Sequence, residues 1–385
     1  MSQTVRRMNL SDFKLEKQIG SGAFSKVVIG LHLPTDVYYA VKLISKRTIL
    51  NAPTEEERIK MAEAARRESR MLLMCVHPNI VRFFGSMQSP EDLVYITELC
   101  EGGELLDAIK RLHRIPLEAS RHAIAELFSA VFYLHYGEKK NLFLPGAPVK
   151  PITVLHRDIK PENVMLSSNM HVKLIDFGTT VVCESVNDRP EGEKSGGERA
   201  QTFCGTSYYM SPELLQDNYT CCASDYWGCG CVLYHMLVGK RPFDAPTQYL
   251  LIRAVIEQEP EYPENLDPLA KDLIKKLLIK SPEKRISMHE IKAHPFFSTV
   301  GFNNLTMANV ENLWVKETPW VDVISVLNCA NCKRVFFPFS RKDYCRLCGN
   351  YFCLWCLPEK RVLVGFRHHC PQLVCSLCSK KLNRL

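Results

Sequence analysis

The sequence predicts an α+β protein with a β-rich first part, a helical second part and a small two-zinc module near the C-terminal end. Residues 12–50 are predicted to be β-rich, because a glycine-rich turn lies between two apolar runs. Residues 54–74 and roughly 117–136 are predicted helices, the first with an N-cap signature ahead of apolar residues at helical spacing. Nine cysteines crowd into residues 329–378, mostly as Cys-x-x-Cys pairs, which is the spacing of zinc ligands.

The composition is that of a globular protein with a basic end. The chain has 385 residues, enough for two or three domains, and its hydrophobic fraction of 46% is ordinary. We find no apolar signal core at the N-terminus and no run of eighteen apolar residues, so we expect a soluble, intracellular protein. Residues 329–385 carry eleven Lys and Arg against two Asp and Glu, so the remainder is close to neutral.

Residues 155–178 carry the strongest chemical signal. Asp158 and Asn163 lie five residues apart on a turn, and Asp176 follows a short predicted hairpin within residues 164–175. The hairpin would bring Asn163 and Asp176 together. Two oxygen donors held close suit Mg²⁺, which is usually shared with phosphates. Asp158 would then face an incoming hydroxyl.

A second signal lies near the N-terminus. Gly20 and Gly22 would let the backbone approach phosphates, because glycine has no Cβ. Lys42 follows a short apolar run after this turn, and its ammonium group can bind phosphate oxygens. Taken alone, a glycine-rich turn is more often a plain hairpin, and a lysine that ends an apolar strand is usually solvated. The interpretation of the glycine-rich turn and of Lys42 as phosphate-binding therefore depends on their occurring together.

These blocks together resemble the protein kinase family. The kinase catalytic loop H-R-D-x-K-x-x-N matches residues 156–163, and D-F-G matches residues 176–178. Further blocks follow in order: the end of the activation segment at 202–213, with Ser-Pro-Glu in place of Ala-Pro-Glu, the helix that braces the catalytic loop at 225–230, and His-Pro-Phe-Phe at 294–297.

The resemblance implies a bilobal protein kinase fold over residues 13–297, with the N-lobe at about 13–99 and the C-lobe at about 100–297. It implies an enzyme that binds ATP and Mg²⁺ and phosphorylates hydroxyls of protein substrates. Lys160, two residues after Asp158, indicates serine/threonine rather than tyrosine specificity.

The resemblance also assigns catalytic roles. Asp158 would orient the substrate hydroxyl and accept its proton, and Lys160 would steady the transferred phosphoryl group. Asn163 and Asp176 would hold Mg²⁺.

Thr97 matches the gatekeeper position, the backbone of residues 98–100 would contact the adenine edge, and Glu104 matches the ribose-facing position. The expected ATP contacts are Ile19, Gly20, Ser21, Gly22, Ala23, Phe24, Ser25, Val27, Ala40, Lys42, Glu68, Thr97, Glu98, Cys100, Glu104, Glu162 and Asp176.

Two ion pairs are implied. Lys42 should pair with a glutamate of the first helix, for which Glu68 fits best and Glu63 is the weaker candidate. An exposed helix charge is the alternative interpretation. Arg285 is the expected partner of Glu213.

Three features depend on loops. Residues 137–153, rich in glycine and proline, are predicted to form an inserted surface loop, and residues 183–200 a mobile loop tip. Thr202 lies where members of the family are phosphorylated, and a phosphate there could pair with Arg157. The alternative is an unmodified capping threonine.

Within the family, the chain looks most similar to the phosphoinositide-dependent protein kinases of the AGC group, on blocks such as GSGAFSKV and TFCGTSYYMSPELL. That subgroup implies an upstream signalling kinase that acts on activation loops of other kinases. Two alternatives stay open: an AGC- or CAMK-like kinase with ordinary downstream substrates, and a pseudokinase scaffold. The presence of Lys42, Asp158, Asn163 and Asp176 together argues against the scaffold.

After a predicted linker at 298–319, residues 320–380 resemble the FYVE zinc finger. Eight thiolates would hold two structural Zn²⁺, four to each ion, and the resemblance implies that the first Cys-x-x-Cys pair shares an ion with the third. The predicted zinc ligands are Cys329, Cys332, Cys345, Cys348, Cys353, Cys356, Cys375 and Cys378.

The lipid-reading residues of the finger depart from the family pattern. In the block at 341–349 both expected histidines are lost and Asp343 is gained, and Leu373 replaces an arginine. We therefore expect weak, salt-sensitive binding to anionic membranes or phosphoinositides, without strict selectivity for phosphatidylinositol 3-phosphate. This favours a cytoplasmic protein, peripheral on endosomal membranes. We see no base-reading motif and expect no nucleic-acid partner.

Overall fold

The computed structural model describes residues 8–22, 24–139, 152–183, 207–302, 305, 310–314, 342–344, 351–353, 356, 359–361 and 372–374. The chain divides into two compact units, Met1–Val310 and Glu311–Leu385.

The N-lobe is built on a five-stranded antiparallel sheet with the order β1-β2-β3-β5-β4. Its strands are β1 (Phe13–Ser21), β2 (Ser25–His32), β3 (Val37–Ser45), β4 (Phe83–Gln88) and β5 (Asp92–Glu98). Successive side chains of β3 and β5 point to opposite faces of the sheet. One face forms a core around Val41 and Ile96, and the other face packs against a helix. Lys42 lies inside β3 rather than at its end, because the pairing of β3 with β5 continues to Ser45.

The helix on that face, α2 (Glu55–Met74), confirms the prediction for residues 54–74, and the short α1 (Lys46–Leu50) precedes it. Its start is fixed by a capping box, in which Thr54 Oγ1 accepts from Glu57 N and the Glu57 carboxylate accepts from Thr54 N. Ala65 and Glu68 are buried on its inner face. The hydroxyl of Tyr95 donates to the Ala65 carbonyl at 2.6 Å, which fixes the helix against β5.

The C-lobe is helical. Its helices are α3 (Leu105–Leu112), α4 (Leu117–Tyr136), α5 (Pro212–Asp217), α6 (Cys222–Val238), α7 (Gln248–Glu257), α8 (Pro268–Leu277) and α9 (Met288–Ala293). The bounds of α4 confirm the prediction for 117–136. Almost every side chain of α6 is buried, and its Gly228 lies so close to the catalytic loop that a Cβ there would come within 2.8 Å of Ile159 Cβ.

Short strands surround the predicted catalytic loop. A three-stranded sheet has the order β6-β8-β9, and β7 pairs with β10. These strands are β6 (Gly103–Glu104), β7 (Thr153–Leu155), β8 (Val164–Leu166), β9 (Val172–Leu174) and β10 (Val181–Cys183). The pairing of β8 with β9 confirms the predicted hairpin.

In the second unit, the described residues form a 3-10 helix, Glu311–Trp314, and two hairpins. The hairpins pair β11 (Lys342–Tyr344) with β12 (Tyr351–Cys353), and β13 (Glu359–Arg361) with β14 (Gln372–Val374). Across the described residues of both units, none of the helices is both long and apolar enough to span a membrane.

Candidate active site

One buried carboxylate, that of Asp225, holds the backbone of the catalytic loop by hydrogen bonds. Asp225, on α6, accepts hydrogen bonds from the backbone N–H groups of His156 at 2.9 Å and Arg157 at 2.8 Å. It also accepts one from Nε2 of His135 at 2.8 Å. Burial raises the pKa of Asp225, but the hydrogen bonds from His135 and the His156 backbone outweigh it, so the pKa lies below its ordinary value. Asp225 therefore stays charged, and it holds Arg157 in a left-handed conformation with φ 71°.

Within the catalytic loop, the side chains of three predicted catalytic residues meet at one carboxylate oxygen, Oδ2 of Asp158. Oδ2 of Asp158 receives Lys160 Nζ at 2.6 Å and Asn163 Nδ2 at 2.8 Å. Asn163 Nδ2 also donates to the Asp158 carbonyl at 2.8 Å. No described residue hydrogen-bonds to Oδ1 of Asp158, which is the geometry that a hydroxyl-orienting carboxylate requires.

Asn163 and Asp176 supply a donor set that fits Mg²⁺. Both amide hydrogens of Asn163 point at Asp158, so its Oδ1 is left as an acceptor. The hairpin ties the Asn163 carbonyl to Ile175 N at 2.9 Å, directly before Asp176. Asp176 adopts a left-handed φ of 61°. Carbonyl and carboxylate oxygens are the ligands that Mg²⁺ prefers, so the residues present suit the ion that the family implies.

In the N-lobe, Lys42 Nζ lies 2.5 Å from Oε1 of Glu68. Glu63 is exposed elsewhere on α2 and is not the partner. Burial raises the pKa of Glu68, Lys42 lowers it and Asp176 raises it again, and the net shift is upward. Asp176, one of the two predicted Mg²⁺ ligands, therefore acts together with burial, and against Lys42, on the pKa of Glu68.

The glycine-rich turn lies at the edge of the same region. Gly22 N donates to the Ser25 carbonyl at 2.7 Å, which closes the turn between β1 and β2. The predicted contacts Ile19, Gly20 and Ser21 end β1, Ser25 and Val27 begin β2, and Phe24 lies between the strands. Ala23 lies outside the described residues.

The segment after β5 holds the predicted adenine-facing residues. Thr97 pairs with Ala40 across the sheet and its Oγ1 donates to the Ala40 carbonyl at 3.5 Å. Cys100 is buried, and its carbonyl accepts from Gly103 N at 3.3 Å. Burial raises the pKa of Glu104, and nearby Asp107 and Glu162 raise it further.

The predicted partner of Glu213 is also in place. Arg285 donates through Nη1 and Nη2 to the two carboxylate oxygens at 2.8 and 3.0 Å, and Ser224 Oγ donates to the same carboxylate at 2.6 Å. This bidentate pair fastens the start of α5 to the base of the C-lobe.

Several residues of this region could not be found by motif. His135 reaches Asp225 across 90 residues of sequence, with Nε2 2.8 Å from Oδ2. Lys173 forms an ion pair with Glu98 at 2.8 Å. No periodicity or spacing in the sequence signals these contacts.

Part of the predicted set lies outside the described side chains. These residues are Thr202 and the zinc ligands Cys329, Cys332, Cys345, Cys348, Cys375 and Cys378. Of the other two predicted ligands, Cys353 ends β12 and only its backbone is described, and Cys356 lies in a turn three residues further on. The predicted zinc pairing stays a prediction.

The catalytic loop, the predicted Mg²⁺ ligands Asn163 and Asp176, and the Lys42–Glu68 pair together indicate the class of protein. A protein kinase domain model matches residues 13–297, and a FYVE zinc finger model matches residues 319–384. The chain belongs to the protein kinase family. The predictions of a bilobal kinase fold and of a FYVE finger are confirmed. The kinase domain implies ATP and Mg²⁺, and the finger implies two zinc ions.

Individual related proteins give a more specific comparison than the family models do. The chain is 35% identical over 306 residues to 3-phosphoinositide-dependent protein kinase 1 of Mus musculus and of Homo sapiens, covering 78% of this chain and 49% and 50% of those proteins. It is 32% identical over 317 residues to serine/threonine-protein kinase PKH2 of Candida albicans, covering 82% of this chain and 30% of that protein. The chain thus spans about half the length of these two mammalian relatives.

Proposed function

We propose that this chain is a serine/threonine protein kinase that transfers the γ-phosphoryl group of ATP to protein hydroxyls. The observation that carries the proposal is the meeting of Lys160 and Asn163 at one oxygen of Asp158. Phosphoryl transfer needs positioning and charge neutralisation more than covalent chemistry from the protein. Asp158 Oδ1 orients the substrate hydroxyl and takes its proton, and Lys160 offsets charge on the group in transfer.

The remaining residues hold the nucleotide. Lys42, fixed by Glu68, binds phosphate oxygens, and Gly20 and Gly22 let the backbone approach them. Asn163 and Asp176 are the residues that would hold Mg²⁺, which when bound neutralises phosphate charge. The whole kinase domain is assigned to residues 13–297, with the N-lobe ending near residue 99.

We further propose that its substrates are the activation loops of other kinases. The similarity to 3-phosphoinositide-dependent protein kinase 1 and to PKH2 supports this. An activating phosphate at Thr202, paired with Arg157, belongs to the same proposal.

The experiment is a radiolabelled-ATP assay against a panel of activation-loop peptides, with generic serine/threonine peptides as competitors. Asp158→Asn should retain ATP binding and lose most turnover, because the hydroxyl loses its orienting acceptor. Asp217→Asn, an exposed carboxylate at the end of α5, is the matched control and should keep full activity. Near-normal turnover in Asp158→Asn contradicts the assigned role.

The same assay separates the rivals. Wild-type protein that binds ATP and phosphorylates nothing would be a pseudokinase scaffold. Equal rates on generic and activation-loop peptides would indicate a kinase with ordinary downstream substrates.

We also propose that the finger, at about 320–380 after a linker at 298–319, directs the protein to anionic membranes such as those of endosomes, from the cytoplasm. The FYVE match and the basic charge of residues 329–385 support this. Each Lys or Arg near an anionic leaflet contributes on the order of 1 kcal/mol. Asp343 would repel a headgroup phosphate, so selectivity for phosphatidylinositol 3-phosphate should be weak.

A liposome titration of the full chain decides this, with phosphatidylserine vesicles compared with phosphatidylinositol 3-phosphate vesicles at low and high salt. Binding that falls steeply with salt on both supports the proposal. Tight, salt-resistant binding to the phosphoinositide alone contradicts it, and no binding points to a protein partner. Metal analysis of the same protein should find two zinc ions per chain.

A further inference from the structure

The carboxylate of Glu98 fastens the last residue of β5 to two other parts of the molecule. Its Oε1 accepts from Arg82 N at 2.7 Å, and Glu98 N donates to the Arg82 carbonyl at 2.9 Å. The same Oε1 receives Lys173 Nζ at 2.8 Å. Glu98 begins the segment 98–100, which we call the hinge. The ion pair therefore joins the hinge to β9 of the C-lobe.

The strand that carries Lys173 is itself firmly placed. Its neighbours bond to the segment before β4: Leu174 N donates to the Asn79 carbonyl at 2.8 Å, and Val81 N donates to the Leu174 carbonyl at 3.0 Å. Lys173 lies three residues before Asp176, so it is set by the same strand that sets the proposed metal ligand. Backbone hydrogen bonds therefore fix the strand that carries the Lys173 cation to the hinge.

The ion pair between Lys173 and Glu98 is mostly buried, so its electrostatic attraction is only partly screened by solvent. The side chain of Lys173 is 15% exposed and that of Glu98 is 25% exposed. Burial raises the pKa of Cys100 to about 12, Glu98 raises it too, and Lys173 lowers it. Both charges therefore act on the hinge residue Cys100, and solvent screens them less than it would a surface pair.

We propose that Lys173 is a positioning residue for the nucleotide: by holding the Glu98 carboxylate, it fixes the hinge backbone that contacts the adenine edge. This rests on the proposed ATP-dependent function. The ammonium group does not touch the nucleotide; it limits the positions that the backbone of residues 98–100 can adopt. Removal of the cation should weaken nucleotide binding and leave phosphoryl transfer almost unchanged.

The test measures KM for ATP and kcat separately, together with ADP binding by calorimetry. Lys173→Met should raise KM for ATP and the Kd for ADP by about three- to tenfold, corresponding to loss of one partly screened ion pair. The kcat should stay within about twofold, because Asp158, Lys160 and Asn163 are untouched. Lys173→Arg keeps the charge and should restore both constants.

A second background separates positioning from simple loss of stability. Glu98→Gln keeps an acceptor for Arg82 N but removes the charge, so adding Lys173→Met to it should raise KM no further. Arg253→Met, which breaks the exposed pair with Glu257 on α7, is the control and should change neither constant.

The outcomes distinguish this inference from the proposed function. If the wild type neither binds ADP nor turns over ATP, the proposed function fails. If the wild type is active but Lys173→Met leaves KM unchanged, lowers only kcat, or adds fully to Glu98→Gln, the positioning role alone is refuted.

Discussion

The two lobes each bury a glutamate against a cation, and the two pairs have opposite electrostatics. Glu213 accepts three hydrogen bonds, two from Arg285 and one from Ser224. Burial raises its pKa, but Arg285 and Ser224 outweigh burial and the pKa lies below its ordinary value. Glu68 has one short contact, with Lys42, and burial together with Asp176 leaves its pKa raised.

The difference teaches what each pair is for. The C-lobe pair is held by three hydrogen bonds to Glu213, and it fixes the position of α5. Among the described residues, the N-lobe pair is held by one hydrogen bond, and Asp176 raises the pKa of Glu68, which suits the proposed role of Asp176 in binding a cation. We therefore expect loss of the first pair to affect stability and loss of the second to affect activity.

Arg285→Met should produce the largest effect. It leaves Glu213 buried without its main partner, which should cost about 3–5 kcal/mol of unfolding free energy. Urea unfolding of the full chain, followed by a C-lobe probe, measures this. The exposed Arg253→Met should change stability by about 0.5 kcal/mol or less. Equal losses in the two variants would remove the distinction between a buried bracing pair and a surface pair.

Lys42→Met should show the reverse pattern. We expect turnover to fall by at least about a hundredfold, since a positioned cation on the phosphates is lost. Stability should fall by less than in Arg285→Met, because the pKa of Glu68 is raised and that of Glu213 is lowered, so neutralising the Glu68 carboxylate costs less. Parallel unfolding and kinase assays decide, and a stability loss as large as that of Arg285→Met would contradict the comparison.

The same contrast shows what the sequence could predict. Asp158, Asn163 and Asp176 belong to local motifs at fixed spacing, so the loop and hairpin that bring them together were predictable. Glu68 could be chosen over Glu63 by counting back from the block His77-Pro78-Asn79. The contacts of His135 with Asp225 and of Lys173 with Glu98 join distant segments, and their partners are set by packing that periodicity does not encode.

Acid should distinguish the lobes further. Glu213 has a folded-state pKa below its ordinary value of 4.5, so its contribution to stability is present above pH 4.5 and is lost as pH falls through the folded value. The pKa of Glu68 is raised, so folding favours its protonated form. Acid therefore does not weaken the contribution of Glu68 to stability as it weakens that of Glu213. The C-lobe should therefore open first.

Hydrogen exchange between pH 7 and pH 3 tests this order. Amides of α5 and α6 should lose protection at a higher pH than those of α2, and Glu213→Gln should flatten the pH dependence in the C-lobe. Glu257→Gln, at an exposed site, should leave it unchanged. Earlier loss of protection in α2 would reverse the assignment.

Ser224→Ala should give the smallest effect and isolates the third hydrogen bond of the C-lobe pair. The Ser224 hydroxyl donates to Glu213 at 2.6 Å and accepts from Cys221 N at 3.1 Å, so it joins the carboxylate to the first turn of α6. Loss of both bonds should cost about 1–2 kcal/mol of unfolding free energy and bring the pKa of Glu213 closer to its ordinary value.

Because Arg285 still holds Glu213 through both oxygens, the Ser224→Ala protein should remain folded, and activity at saturating ATP should be unchanged. Ser224→Thr keeps the hydroxyl and should recover most of the lost stability. A loss near that of Arg285→Met would place most of the bracing energy in the serine. Full stability of Ser224→Ala would instead show that the bidentate arginine alone stabilises the pair.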